Sequence, residues 1–146
     1  MLVPDPQFLP FFIYGTLMPG ERNHFPLLHE SIIRCEEASI LGTLYYYRTE
    51  DCPALTEGKT PISGQLLMLR AENFPEILSR MNKIEGYIAP GDPKNVYNLE
   101  TADVQPAKGE TVRAYVYRIN PVLLREHPEA FSVMAEHSWR AFRKKH

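Results

Sequence analysis

Five short runs of strand-forming residues, separated by turn residues, constrain what this chain can fold into. Their apolar residues alternate or run continuously, as in half-buried or fully buried strands. Because few helical segments stand between them, a small barrel or a strongly curled sheet is favoured. The predicted strands cover Phe8 to Tyr14, Ala38 to Tyr47, Ile62 to Leu69, Tyr97 to Val104 and Val112 to Ile119.

Two segments have the apolar spacing of a helix. The first runs from about Phe74 to Glu85, with Asn73 as its N-terminal cap and Gly86 just beyond its end. The second runs from about Glu129 to Arg143. A short helical turn at His24 to Leu28 and an exposed loop at Ala89 to Asn95 complete the prediction.

Length and charge narrow the class of protein. The chain has 146 residues, which fits one domain over 1–146, and its formal net charge is −2. Nucleic-acid-binding domains usually carry a basic excess, so we expect no nucleic acid as a partner. Cys35 and Cys52 form no CxxC motif, and no segment resembles a signal peptide or a membrane span. We therefore expect a cytoplasmic protein with free thiols and no membrane partner.

A candidate binding loop follows the first predicted strand. The apolar run Phe11 to Ile13 leads into Tyr14, Gly15, Thr16 and Leu17. Glycine lets the backbone turn tightly and lets a ligand approach the main chain. Successive backbone N–H groups in such a loop point at one spot, which suits a carboxylate or a carbonyl oxygen. A tight turn that binds nothing is the alternative interpretation.

Glu85 is the candidate for proton transfer. Residues three and four apart on a helix share a face, so the series Leu78, Met81, Glu85 places this carboxyl on the apolar side. It also stands at the C-terminal end of its helix, where the helix dipole disfavours negative charge. Burial and the dipole both raise the pKa of a carboxyl toward neutrality, where it can accept and return a proton. A solvated glutamate at a helix end is the alternative.

An ordered set of landmarks resembles the gamma-glutamylcyclotransferase-like superfamily, which includes gamma-glutamylamine cyclotransferases and AIG2-like proteins. The candidate loop, continued by Met18-Pro19-Gly20 and followed by Asn23-His24, is similar to the opening signature of that family. The segment Met81 to Tyr87 resembles the helix end that carries the family's catalytic glutamate, which falls on Glu85. Four further stretches also resemble the family and occur in its order. Gly42 to Tyr45, Pro53 to Leu55 and Ile62 to Leu66 lie between the loop and Met81, and the aromatic Tyr97 lies after Tyr87.

The resemblance implies an α+β fold, a small mixed β-barrel with flanking helices. It also implies a reaction without metal or cofactor, in which the α-amine of a γ-glutamyl compound attacks its own γ-carbonyl and releases 5-oxoproline and an amine. Glu85 would take and return the protons of this acyl transfer. Substrate binding would fall to Tyr14, Gly15, Thr16, Leu17, Asn23 and Tyr97, while Asn82 and Asn98 replace an aspartate and an arginine that are usual in the family.

Two other functions stay open. A non-catalytic or differently acting small-molecule-binding protein on the same barrel would keep a pocket but release no 5-oxoproline. An interaction module that uses the tyrosine-rich strands would have no pocket. The histidines are scattered without the spacing of a zinc site, so no metal site is predicted. The leaving amine and the oligomeric state are not determined by the sequence.

Overall fold

The computed structural model describes residues 9–146, and five of its strands close into a barrel. The strands are β1 (Phe11–Ile13), β2 (Ile32–Tyr47), β3 (Cys52–Leu69), β4 (Tyr97–Pro106), β5 (Val112–Ile119) and β6 (Phe131–Val133). The ring runs β3, β1, β5, β4, β2, and β2 pairs with β3 to close it. β1 and β5 are parallel and the other pairs are antiparallel, so the predicted mixed barrel is confirmed.

Helices flank the barrel, as the α+β prediction requires. They are α1 (Pro26–Ser31), α2 (Phe74–Glu85), α3 (Pro121–Glu126) and α4 (Trp139–Lys145). The predicted limits of α2 are confirmed: its apolar residues Phe74, Ile77 and Met81 are buried, and Gly86 ends it with a φ of 66°. That left-handed angle favours glycine. No helix within residues 9–146 combines the length and the apolar character needed to cross a membrane.

The predicted helix over Glu129 to Arg143 is wrong. This segment forms β6, an irregular stretch and the shorter helix α4. β6 pairs with the end of β2, where the rings of Phe131 and Tyr47 stack at a centroid distance of 4.5 Å. The helical spacing of its apolar residues comes from a strand and a helix that each pack on the barrel, so tertiary packing overrides the local pattern.

Several boundaries also differ from the prediction. β2 and β3 are longer than expected and form one hairpin around residues 48–51. Asn73 does not cap α2, because its side-chain amide donates to Ser31 Oγ at 2.9 Å instead. The helical turn predicted at His24 to Leu28 lies two residues later, as α1. The start of the first predicted strand at Phe8 lies outside the described residues.

Candidate functional site

The loop after β1 and the C-terminal end of α2 line the same cavity. This inner cavity has a volume of about 30 Å³ and is bounded by residues from Phe12 to Leu17 and by Glu85. An outer cavity of about 200 Å³ adjoins it. The two share Thr16, Cys52, Glu85 and Tyr97, and the outer cavity is also lined by Arg22, Asn23, Lys83 and Val96. The two segments singled out in the sequence therefore meet in the folded chain.

Tight turns shape the loop and leave its first N–H groups available. The Met18 N–H donates to the Gly15 carbonyl at 3.1 Å, and the Asn23 N–H donates to the Thr16 carbonyl at 2.9 Å. The side-chain amide of Asn23 also donates to Thr16 Oγ1 at 2.9 Å. In the part of the chain that the structure describes, no protein acceptor receives the N–H of Gly15, Thr16 or Leu17. Such unpaired donors suit an oxygen of a ligand.

The loop is anchored to the barrel at its first two residues. The Tyr14 hydroxyl donates to the Tyr117 carbonyl at 2.5 Å and accepts the Leu55 N–H at 3.3 Å. A Cβ atom at Gly15 would lie only 2.6 Å from Cγ of Pro53, so this position has no room for a side chain. Because the Tyr14 hydroxyl is engaged in these bonds, Tyr14 forms a fixed wall of the inner cavity.

Glu85 is the last residue of α2, and it lines both cavities. Ile84, beside it on the helix, is 39% exposed and lines the outer cavity but not the inner one. Within residues 9–146 the Glu85 carboxyl accepts no hydrogen bond and forms no ion pair. Burial raises its pKa from 4.5 to about 7, because the charged form loses hydration without gaining a partner. A carboxyl in this state exchanges protons readily near neutral pH.

Tyr117 also lines the inner cavity, although the sequence did not single it out as a site residue. Its hydroxyl donates to Oδ1 of Asn82 at 2.6 Å, which ties β5 to α2 one helical turn before Glu85. Asn82, at a position where the related family usually has aspartate, therefore acts as a neutral acceptor. Successive side chains of a strand point to opposite faces, so Tyr117 lies on the other face of β5 from the buried Val116. Tyr117 is buried as well because α2 covers its face, and the strand pattern alone does not reveal that cover.

Tyr97 and Cys52 form a second buried pair in the wall of the cavities. The Tyr97 hydroxyl donates to the Pro53 carbonyl at 2.7 Å, so the Cys52 thiol, 3.1 Å away, is left to donate to the Tyr97 oxygen. Burial raises the pKa of Cys52 to about 12. The thiol therefore stays protonated near neutral pH and is unsuited to act as a nucleophile.

Asn95 fastens the segment that follows α2. Its side chain is almost fully buried, and Oδ1 accepts the N–H groups of Ile88 at 2.7 Å and Ala89 at 3.4 Å. Its amide nitrogen donates to the Ala89 carbonyl at 2.8 Å and to Asn98 Oδ1 at 3.0 Å. The predicted loop over Ala89 to Asn95 is present, and this network holds it against the barrel beside the end of α2.

The described residues also provide evidence on two other questions, whether the chain has a metal site and whether it is an interaction module without a pocket. Nowhere in residues 9–146 do three or more His, Cys, Asp or Glu side chains gather in a group that could hold a metal ion. The interaction module was expected to lack a pocket, and the two cavities at the loop do not fit that interpretation.

Comparisons with known proteins agree with this architecture. The family model described as "Gamma-glutamyl cyclotransferase, AIG2-like" matches residues 11–141. A gamma-L-glutamyl-butirosin B gamma-glutamyl cyclotransferase of Niallia circulans is 31% identical over 112 residues, which cover 75% of this chain and 68% of that protein.

Solved structures share the fold at lower identity. An AIG2-like protein of Mus musculus superposes with a TM-score of 0.64 at 18% identity, covering 90% of this chain and 87% of its own. The uropathogenic E. coli-specific protein c4763 superposes with a TM-score of 0.56 at 17% identity, covering 93% and 95%. With the family model matched over most of its length, the chain belongs to the gamma-glutamyl cyclotransferase, AIG2-like family.

Proposed function

We propose that this protein releases 5-oxoproline from a γ-glutamyl amine or a related γ-glutamyl compound, with Glu85 as the general acid and base. One observation carries the proposal: the Glu85 carboxyl lines the same cavity as the N–H groups of Gly15, Thr16 and Leu17, and none of these groups has a hydrogen-bond partner within residues 9–146. The family match and the name of the Niallia circulans relative support γ-glutamyl cyclotransfer as the reaction class.

Substrate binding in this proposal uses both cavities. One oxygen of the glutamyl group enters the inner cavity, where the loop N–H groups bind it between the rings of Tyr14 and Tyr97. The rest of the glutamyl group lies in the larger outer cavity of about 200 Å³. The α-ammonium group faces Glu85, which lines both cavities and supplies the only carboxylate among the described residues of the inner one. The leaving amine extends into the outer cavity, beside Asn23.

The chemistry is an intramolecular acyl transfer. The carboxylate of Glu85 takes a proton from the α-ammonium, and the freed amine attacks the γ-carbonyl carbon. As the tetrahedral intermediate collapses, the bond from this carbon to the leaving nitrogen breaks. Overall, the α-nitrogen loses two protons and the leaving amine gains two, and Glu85 returns to its starting state. Holding the amine against the carbonyl supplies much of the acceleration, since ring closure depends on orientation.

A substrate panel tests the proposal. The protein is incubated with γ-glutamyl amines, γ-glutamyl amino acids and glutathione, and 5-oxoproline is measured. We expect release from at least one class and a loss of about 10²–10⁴-fold in kcat for Glu85→Gln, the range of general acid–base catalysis. Glu76→Gln, on the exposed side of the same helix, serves as the matched control and should retain activity.

Two outcomes would contradict the proposal. Full activity in a folded Glu85→Gln variant would remove the role assigned to that carboxyl. Absence of 5-oxoproline release across the panel, with γ-glutamyl compounds still binding in calorimetry, would instead favour a small-molecule-binding protein on the same barrel.

A further inference from the structure

The helix α4 contacts the back of the substrate loop through two long-range hydrogen bonds. Nε1 of Trp139 donates to Oε1 of Glu21 at 2.9 Å, between residues 118 positions apart in the chain. Nη2 of Arg140 donates to the Pro19 carbonyl at 2.8 Å. Neither Trp139 nor Arg140 lines the inner or the outer cavity. Both bonds reach the segment directly after the N–H groups assigned to substrate binding.

A continuous series of hydrogen bonds joins Trp139 to those groups. The Glu21 N–H donates to the Met18 carbonyl at 2.9 Å, and the Met18 N–H donates to the Gly15 carbonyl at 3.1 Å. A displacement of Glu21 is therefore transmitted through two successive turns to Gly15. Since hydrogen bonds to charged groups are stronger than neutral ones, the bond from the indole to the Glu21 carboxylate is the principal link in this series.

The position of Trp139 is itself fixed by its surroundings. Its side chain is fully buried, and its ring stacks on Phe142 at a centroid distance of 5.6 Å. Ser138 caps the helix by accepting the Ala141 N–H at 3.1 Å, and the carbonyl of His137 accepts the Ser63 N–H of β3 at 2.9 Å. The indole N–H is thus presented from a rigid element that is bound to the barrel.

We propose that Trp139 and Arg140 are positioning residues, which hold the loop of Gly15 to Leu17 in its substrate-binding geometry through Glu21 and Pro19. The part of this inference that concerns catalysis rests on the proposed function, while the part that concerns the loop does not. Pre-organised donors lose their effect when the backbone that carries them moves, and small displacements reduce rates strongly.

Three substitutions on the bond between Trp139 and Glu21 test this inference. Trp139→Phe keeps an aromatic ring and removes the indole N–H, Glu21→Ala removes the acceptor, and Glu21→Gln keeps an acceptor oxygen. We expect Trp139→Phe and Glu21→Ala each to lower kcat/KM about tenfold. The double variant should be no slower than the slower single variant, because both changes break the same bond. Glu21→Gln should lose less than Glu21→Ala, because its amide oxygen still accepts from the indole although the bond is no longer charge-assisted.

A second readout does not depend on activity. Amide hydrogen exchange at Met18, Glu21 and Asn23, whose N–H groups close the turns of the loop, should become faster in Trp139→Phe and Glu21→Ala. It should be unchanged in Lys144→Gln, an exposed position of the same helix. The acid limb of the pH profile should not move, since Glu85 is untouched. If Trp139→Phe folds poorly, Glu21→Ala tests the bond from the indole, and Arg140→Gln separately tests the bond to the Pro19 carbonyl, each by the same loop exchange and kcat/KM.

The outcomes separate this inference from the proposed function. Unchanged loop exchange together with unchanged kcat/KM in Trp139→Phe and Glu21→Ala would overturn it, as would losses that multiply in the double variant. If the unmodified protein releases no 5-oxoproline, the proposed function fails, and the exchange of the loop amides still decides whether α4 positions the loop.

Discussion

At the scale of single residues, Glu85, the side chain proposed for proton transfer, is held where its charge does not help the fold. Glu85 is half-buried at the end of a helix, and its carboxyl has no partner among the described residues. Its pKa of about 7 means that the folded protein favours the protonated form more than the unfolded chain does. A charge on Glu85 therefore opposes folding, and this cost is consistent with a residue kept for proton transfer.

Stability measurements should reveal this cost. Below the ordinary pKa of 4.5 the carboxyl is protonated in both states, so Glu85 and glutamine should be equivalent. Between pH 4.5 and about 7 the unfolded chain loses this proton while the folded protein keeps it, so stability falls as the pH rises, and above about 7 the loss is complete. We predict that Glu85→Gln increases the free energy of unfolding at pH 8 by about 1–3 kcal/mol, and changes it little at pH 4.

Urea unfolding at pH 4, 6 and 8 checks this prediction. Glu76→Gln is the control, and its effect should not vary with pH in the same way. A Glu85→Gln variant no more stable than the unmodified protein at pH 8 would show that the carboxyl is better solvated than the structure indicates.

At the scale of elements, local signals in the sequence define some segments well. The limits of α2 follow from its apolar spacing and from Gly86, and β4 and β5 begin at the predicted residues. β3 begins at Cys52, ten residues before the predicted start at Ile62. The added stretch contains two prolines and a glycine, which are typical of a loop, but it forms a strand because the long β2 pairs with it. β6 and α4 are likewise determined by the barrel they pack on, which a local pattern does not contain.

The segment after α2 illustrates an element held by one side chain. Asn95→Asp keeps the shape of that side chain but replaces the amide donor with an oxygen, which would face the Ala89 carbonyl and Asn98 Oδ1. We predict a loss of about 1–3 kcal/mol in the free energy of unfolding. We also expect a fall of about tenfold in kcat/KM, because the end of α2 that carries Glu85 loses its support.

The matched control for this variant lies in the same loop. Asp92 accepts the Lys94 N–H at 2.8 Å, and asparagine can accept it equally, so Asp92→Asn should leave stability and rate unchanged. Thermal unfolding and initial rates of 5-oxoproline release measure both effects. An Asn95→Asp variant equal to Asp92→Asn in both would contradict the proposed support.

At the scale of the whole molecule, the barrel assembles a site from parts that are distant in the sequence. The loop and Glu85 were identified from local patterns, and the resemblance supplied the relation between them. Tyr117, Cys52 and Pro53 carry no local signal, because their place in the cavity wall depends on how β3, β5 and α2 pack together. The hydrogen bond from Trp139 to Glu21 could not be predicted from the sequence either, because the helix predicted for that region was wrong.

The most direct test of the central claim, that Glu85 is the general base, is the pH dependence of kcat/KM for 5-oxoproline release. We predict an acid limb with an apparent pKa near 7, matching the raised pKa of Glu85, so that kcat/KM falls about tenfold per pH unit below it. A rate that stays level between pH 5 and pH 7 would contradict the assignment of Glu85.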